Sequence, residues 1–337
     1  MRISAKAPLR VSFAGGGSDV PPFPATEGGA VLSATIDRYA FGSLSPRDDS
    51  QICIESVDFG LSLDFGIKEP VVFDGKLDLA KAAIRGLGDS AEQGYDLFLH
   101  SNAPPGSGLG SSSTMTVAMV GLLVERAGLR LTDYDLAHLA YKIEREDLGI
   151  KGGLQDHYAA VFGGFNYLEF YGDHVVVNPL RVKQDTINEL EHNLLLCYTG
   201  VTRESRQIIG DQTSRLIARE ADTVDAIRMQ KQLAGHMKRA LLRNELTKFG
   251  ELLGDAWEHK KRMSPKITTP LIEEAYSVAR REGAIGGKIT GAGGGGYLLL
   301  YCDFRRKHRV AEALIGLGST VTEFTFEPRG LMTWRVP

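Results

Sequence analysis

The segment PPGSGLGSSST, Pro104 to Thr114, sets glycines at 106, 108 and 110 and then three consecutive serines at the mouth of an apolar run, MTVAMVGLLVERA. Residues without side chains let backbone N–H groups approach anionic oxygens. A helix that starts at the serines adds unpaired N–H groups and a partial positive charge. Pro105, Gly106, Ser107, Gly108, Leu109, Gly110, Ser111, Ser112 and Ser113 therefore form a candidate phosphate cradle. The serine hydroxyls suit either a helix cap or a magnesium ion carried by a phosphate. The plainer reading, a glycine turn with a serine cap, is weakened by the prolines and the serine triplet.

Other phosphate-binding patterns fail on inspection. A GxxxxGK[ST] loop is absent, because Gly287-Lys288 is followed by Ile289 and Glu282 stands where the first glycine belongs. The 106, 108, 110 spacing does not make the GxGxxG of a dinucleotide site. Asp-Phe-Gly occurs at 58–60 and 64–66, yet no HRD loop or VAIK strand accompanies it.

The elements that must carry these residues follow from periodicity. Ile3, Ala5, Ala7, Leu9, Val11 and Phe13 alternate, which predicts a half-buried strand with Lys6, Arg10 and Ser12 on its opposite face, away from the core. Strand-like runs recur at 30–45, 51–57 and 95–100. The run after the serines is apolar nearly all round and predicts a buried helix. Thr132 with Asp135 forms a capping-box pattern, opening a helix whose Leu136, Leu139, Ala140 and Ile143 face inward. Glu144 continues the 136, 140, 144 line, so its carboxylate needs a positive partner, either a cation or a basic side chain. Asp156, ahead of HYAAVF, reads plainly as a helix cap, and His157 beside it as a surface residue.

The chain has 337 residues, enough for two domains, and its texture changes near 180, where a helical stretch from about 203 to 282 takes over. After it come a glycine loop, the strand YLLLYC, a helix over about 305–316 and two short strands, an α+β alternation. A net charge of -3 offers no broad basic field, so nucleic acid is not an expected partner. Cys53, Cys197 and Cys302 lie far apart, and the eight histidines make no HExxH pattern, so neither a disulfide framework nor a dedicated metal site is expected. MRISAKAPLR lacks a signal-peptide core and no apolar run reaches the ~18 residues of a membrane span, which leads us to expect a cytoplasmic protein without a membrane partner.

Three segments in order, APLRVSFAGGGSD (7–19), PPGSGLGSSST and KITGAGGGGYLLL (288–300), resemble the GHMP kinase family. The triple glycine before Ser18-Asp19, with GGLQDHYAAVFGGFNYLEF, YTGVTR and HKKRMSPKIT, looks most like its heptose-phosphate kinases. The resemblance implies an α+β, two-lobed fold: an N-terminal ATP-binding lobe with a left-handed βαβ unit, residues 1–180, and a ferredoxin-like C-terminal lobe, residues 181–337. It implies ATP and Mg2+, with Ser112 and Glu144 as magnesium ligands. It places Asp156, twelve residues beyond Glu144, as base or orienter of the attacking hydroxyl. Arg10, or Lys6 on the same strand face, would stabilise the moving phosphoryl group. Gly16, Gly17, Ser18, Asp19, Gly153, Thr199, Arg203, Gly293 and Gly294 would meet the substrate.

The implied activity is phosphorylation of the anomeric hydroxyl of D-glycero-D-manno-heptose 7-phosphate, feeding nucleotide-heptose and surface-polysaccharide synthesis. A kinase for another sugar, such as fucose or galactose, and a non-catalytic sugar and ATP sensor stay open beside it. So does the oligomeric state, a homodimer included.

Overall fold

The computed structural model describes residues 1–87, 93–172, 174–202 and 205–337. Strand β1 (Arg2–Ala14) forms where the alternation predicts but is buried on both faces from Ala7 onward, and it pairs antiparallel with β2 (Gly29–Pro46). Their register shifts between Pro8 and Arg10. Ile3, Ala5 and Ala7 enter one hydrophobic core, whereas Leu9, Val11 and Phe13 enter a second. One long strand therefore serves both halves of the molecule.

Around β1 and β2 an eight-stranded sheet is built from β3 (Gln51–Ser56), β4 (Leu61–Gly66), β5 (Tyr95–Ser101), β6 (Phe165–Tyr171), β7 (His174–Pro179) and β12 (Met332–Val336). Its main order is β12-β1-β2-β5-β3-β4, with β6 on β2 and β7 on β6. Among the described residues only β3 and β5 pair in parallel, and the chain between them passes through β4 and α2 (Asp78–Leu87), a βαβ crossover. α1 (Phe23–Glu27) is a single short turn. α3 (Ser111–Ala127) is buried along most of its length, as its apolar run predicts, and packs on β1 and β2 beside α4 (Asp133–Tyr141) and α5 (Gln155–Phe162). The Thr132–Asp135 capping box opens α4 as expected. Past Tyr141 the coil widens into a π-helical stretch, Lys142–Asp147, a geometry common at functional sites.

The predicted helical region becomes α7 (Ser205–Ile217), α8 (Ala221–Leu242), α9 (Leu246–Arg262) and α10 (Pro270–Glu282), preceded by α6 (Gln184–Asn193) and β8 (Leu194–Tyr198). With β9 (Ala284–Ile289), β10 (Tyr297–Cys302), α11 (Phe304–Gly316) and β11 (Thr320–Thr322) they form a four-stranded antiparallel sheet, β11-β8-β10-β9. Helices between β8 and β9 and between β10 and β11 make this the βαββαβ arrangement of a ferredoxin-like lobe. The last strand, β12, leaves that lobe and pairs with β1, Arg2 opposite Val336. The tail thus covers an edge of the large sheet and crosses back over the boundary expected near residue 180. No helix among the described residues is long and apolar enough to cross a membrane.

Candidate active site

A cavity of about 590 Å³ lies between the phosphate loop, the turn after β1, the start of α5 and the end of α9. Such a volume suits a small ligand. Gly106, Gly108 and Gly110 all have positive φ, and Gly110 precedes α3 without any side-chain cap. The first N–H groups of α3 are thereby left to face the cavity, bordered by Ser111, Ser112 and Ser113. A second glycine loop braces the first. A Cβ on Gly108 would stand 2.6 Å from the Thr290 carbonyl oxygen, and one on Gly291 2.5 Å from the Gly108 Cα. Gly108→Ala, strained at φ +84° as well as crowded, is expected to cost more than about 1 kcal/mol in urea unfolding; an unchanged midpoint would show that the loops part freely.

Arg10 does not point into solvent opposite the core, as alternation along a half-buried strand suggests. It is 3% exposed, because the phosphate loop and α5 cover the second face of β1. Its Nε and Nη2 lie 2.8 and 2.7 Å from Asp156 Oδ1, and Nη1 donates to the Gly108 carbonyl at 2.7 Å. Asp156 sits inside the first turn of α5 and is no helix cap; its carboxylate is held by Arg10 at the cavity wall. Asp19 is fully buried, accepting from the Gly17 and Gln155 N–H groups and from Gln155 Nε2. Burial, and then the neighbouring Asp156, push its carboxyl above the ordinary aspartate range.

Glu144, on the π-helical stretch, accepts from Ser112 Oγ at 2.7 Å, and its other oxygen lies 2.7 Å from His157 Nε2. Arg145 Nη1 stands 3.3 Å away. Burial opposes ionisation of Glu144, but Arg145, His157 and Ser112 outweigh it and hold the carboxyl down at about 2. His157, expected at the surface, is wholly buried, since α5 turns Asp156 to the cavity and His157 to Glu144. Both the salt-bridge reading of Glu144 and its place beside Ser112 are realised at once.

Several expected residues do other work. Lys6 does not join Arg10: four residues along a strand is about 13 Å, and its ammonium lies over the Tyr39 ring. Ser18 spends its hydroxyl on the Gly15 and Ala30 carbonyls and the Ala30 N–H, closing the turn, while Gly16, Gly17 and Asp19 border the cavity. Gly153 borders it too, and a Cβ there would collide with Asp19 Oδ2. Ser107 and Leu109 face inward: the Ser107 carbonyl receives the Tyr297 N–H, and Leu109 joins the second core. Thr199 binds the Gly296 carbonyl, and Gly293 and Gly294 pack against Ile267, so these three support the glycine loop from behind, and Gly291 and Ala292 face the cavity instead. Arg203 lies outside the described residues.

The residues missed by sequence reasoning are Lys260 and Lys288, both buried and both bordering the cavity. Lys288 opens the third quoted segment and Lys260 lies in HKKRMSPKIT, but nothing local marks either as inward-facing. Ser12 Oγ, Gln155 Oε1 and Gln212 Nε2 are buried at the same cavity without protein partners.

Two lobes, an uncapped glycine loop and an Arg–Asp pair bridging loop and cleft define a phosphotransferase of the kind whose family models the chain matches. The GHMP kinases N terminal domain model covers residues 78–164 and the GHMP kinases C terminal model residues 237–319. A D-glycero-alpha-D-manno-heptose 7-phosphate kinase from Campylobacter jejuni is 38% identical over 99% of both chains. A solved D-glycero-D-manno-heptose 1-phosphate kinase from Bacteroides thetaiotaomicron superposes with a TM-score of 0.84 at 36% identity, covering 99% of each chain. Lactococcus lactis galactokinase shares the fold alone, TM-score 0.78 at 19% identity, covering 98% of this chain and 95% of that one. The chain belongs to the GHMP kinase family, and it is a kinase.

Proposed function

We propose that the chain moves the γ-phosphoryl group of ATP to the anomeric hydroxyl of D-glycero-D-manno-heptose 7-phosphate, giving the 1,7-bisphosphate. The carrying observation is Arg10, which binds the phosphate loop at Gly108 and Asp156 at once and so brings donor loop and acceptor acid to one cavity. Phosphoryl transfer is chiefly positioning and charge stabilisation, so this arrangement suffices for it. The polyphosphate lies along Gly106 to Ser113; Gly16, Gly17, Asp19 and Gly153 border the acceptor.

A polyhydroxylated acceptor fits the buried polar atoms of Ser12, Gln155 and Gln212, whose lone pairs and N–H groups otherwise go unmet. A phosphate on that acceptor fits the charge pattern. Once Arg10 is paired with Asp156 and Arg145 with Glu144, the cavity still presents the exposed Lys151 and Arg206 to such a phosphate. Magnesium fits as well. A serine hydroxyl and a carboxylate oxygen 2.7 Å apart at the mouth of α3 are hard oxygen donors, and Mg2+ usually takes one or two carboxylates with phosphates and waters. Bound there by Ser112 and Glu144, it supplies neutralising charge on the phosphates.

Coupled ADP-release assays over heptose 7-phosphate, heptose 1-phosphate, fucose, galactose, mannose and mevalonate test the reading. We expect kcat/KM for heptose 7-phosphate to exceed that for unphosphorylated sugars by at least about 100-fold, since cations left unpaired penalise the wrong acceptor. Preference for the 1-phosphate, or for fucose, would displace the substrate and keep the kinase. ATP binding with no turnover of any sugar would leave a sensor.

A further inference from the structure

Lys260, on α9, and Lys288, on β9, are 6% and 2% exposed, and both border the cavity. Neither has a carboxylate within ion-pair distance among the described residues. Lys288 Nζ donates to the Ser12 carbonyl at 2.8 Å, and Lys260 Nζ to the Gly291 carbonyl, with Ile289 O at 3.5 Å. Burying an ammonium without a counter-ion is costly. The cavity is where one can arrive. Gly291 is the residue packed against Gly108 of the phosphate loop, so Lys260 is anchored where the two glycine loops meet. Arg10, the other cation at this point, already spends its guanidinium on Asp156 and the Gly108 carbonyl.

We propose that Lys260 is a catalytic residue whose ammonium contacts the phosphoryl group in flight, and that Arg10 is a positioning residue which fixes Asp156 against the phosphate loop. This rests on the kinase reading above. In the step, a bond forms from the acceptor oxygen to Pγ, and the bond from Pγ to the β–γ bridging oxygen breaks. That electron pair leaves with ADP, and the hydroxyl proton passes to Asp156. Lys260 gives up no proton; it supplies charge.

Four charged groups act on Lys260: Arg10 from β1, Asp19 from the turn that follows it, Asp156 from α5 and Lys288 from β9. Burial, and then Arg10, push its amine down to about 7, with Asp19 and Asp156 opposing. Lys288 is pushed well below the usual lysine range by burial, Lys260 and Arg10. In the free enzyme the Lys260 charge is lost as pH rises through about 7, so kcat/KM should fall on the alkaline side.

The experiment compares wild type, K260M and K260R with ATP, Mg2+ and the best acceptor of the panel, and with water as acceptor. Wild type is measured first. If the wild type releases ADP with none of the acceptors, water included, the kinase reading falls and this proposal with it. Given an active wild type, K260M should lose about 100-fold or more in kcat, as removal of a preorganised charge-stabilising donor does, with KM for both substrates within about threefold. K260R should keep kcat within about tenfold and lose the alkaline limb, because arginine stays charged. Should K260M fold poorly by thermal melt, the K260R profile decides alone. A K260M rate within about threefold of wild type overturns the proposal. So does an alkaline limb that persists in K260R, or a wild-type rate that rises through pH 7 and vanishes in K260R, the mark of an amine acting as base.

Discussion

Asp156→Ala is expected to lower kcat by about 100-fold or more while ATP affinity, measured by calorimetry, stays within about threefold. The carboxylate meets the cavity from α5, and the nucleotide contacts we propose lie across it on Gly106 to Ser113, so chemistry and donor binding separate. Asp156→Asn keeps the shape and removes the charge that holds Arg10 at 2.7 Å, and it should fall nearly as far. A rate unaffected by either substitution would leave Asp156 as an anchor for Arg10 and nothing more.

Glu144→Gln should destabilise the protein by about 3–5 kcal/mol at pH 7, because it strips a buried acid from Arg145 and His157. The pH dependence has a definite sign. A carboxyl held at about 2 when folded contributes stability that is complete above about 4.5, its ordinary value, and is lost as pH falls toward about 2. The gap between wild type and variant in urea unfolding should therefore narrow across that acid window. A variant within about 0.5 kcal/mol of wild type at pH 7, or a gap that stays constant in acid, would mean the buried pair contributes little. The half-saturating Mg2+ concentration should also rise in the variant if Glu144 holds the ion with Ser112.

Much of the scaffold was legible locally. β1, the buried α3, the α4 capping box, the helical block and the closing strands follow from periods of two and 3.6 and from glycine and serine placement, which are short-range properties. Of the candidate site, the phosphate loop was read from the residues and Ser112, Glu144 and Asp156 from the family resemblance, and the structure brings all of them to one cavity. The misreadings share one cause. Lys6 and Arg10 look equivalent on one face of a strand, yet the phosphate loop and α5 cover that face at Arg10 and not at Lys6. His157 looks like a surface residue until α5 docks on the π-helical stretch.

What the sequence determined alone is the set of elements and the open, glycine-shaped form of the 104–114 loop at the start of α3, since backbone freedom at glycine and helix polarity act over a few residues. Tertiary structure decided which charges face the cavity. Lys260 and Lys288 come from separate elements and gain their burial only when the second glycine loop closes on the first and α9 and β9 pack beside β1. Burial and charge neighbours depend on contacts between residues far apart in the chain, so they are set by packing and not by local pattern.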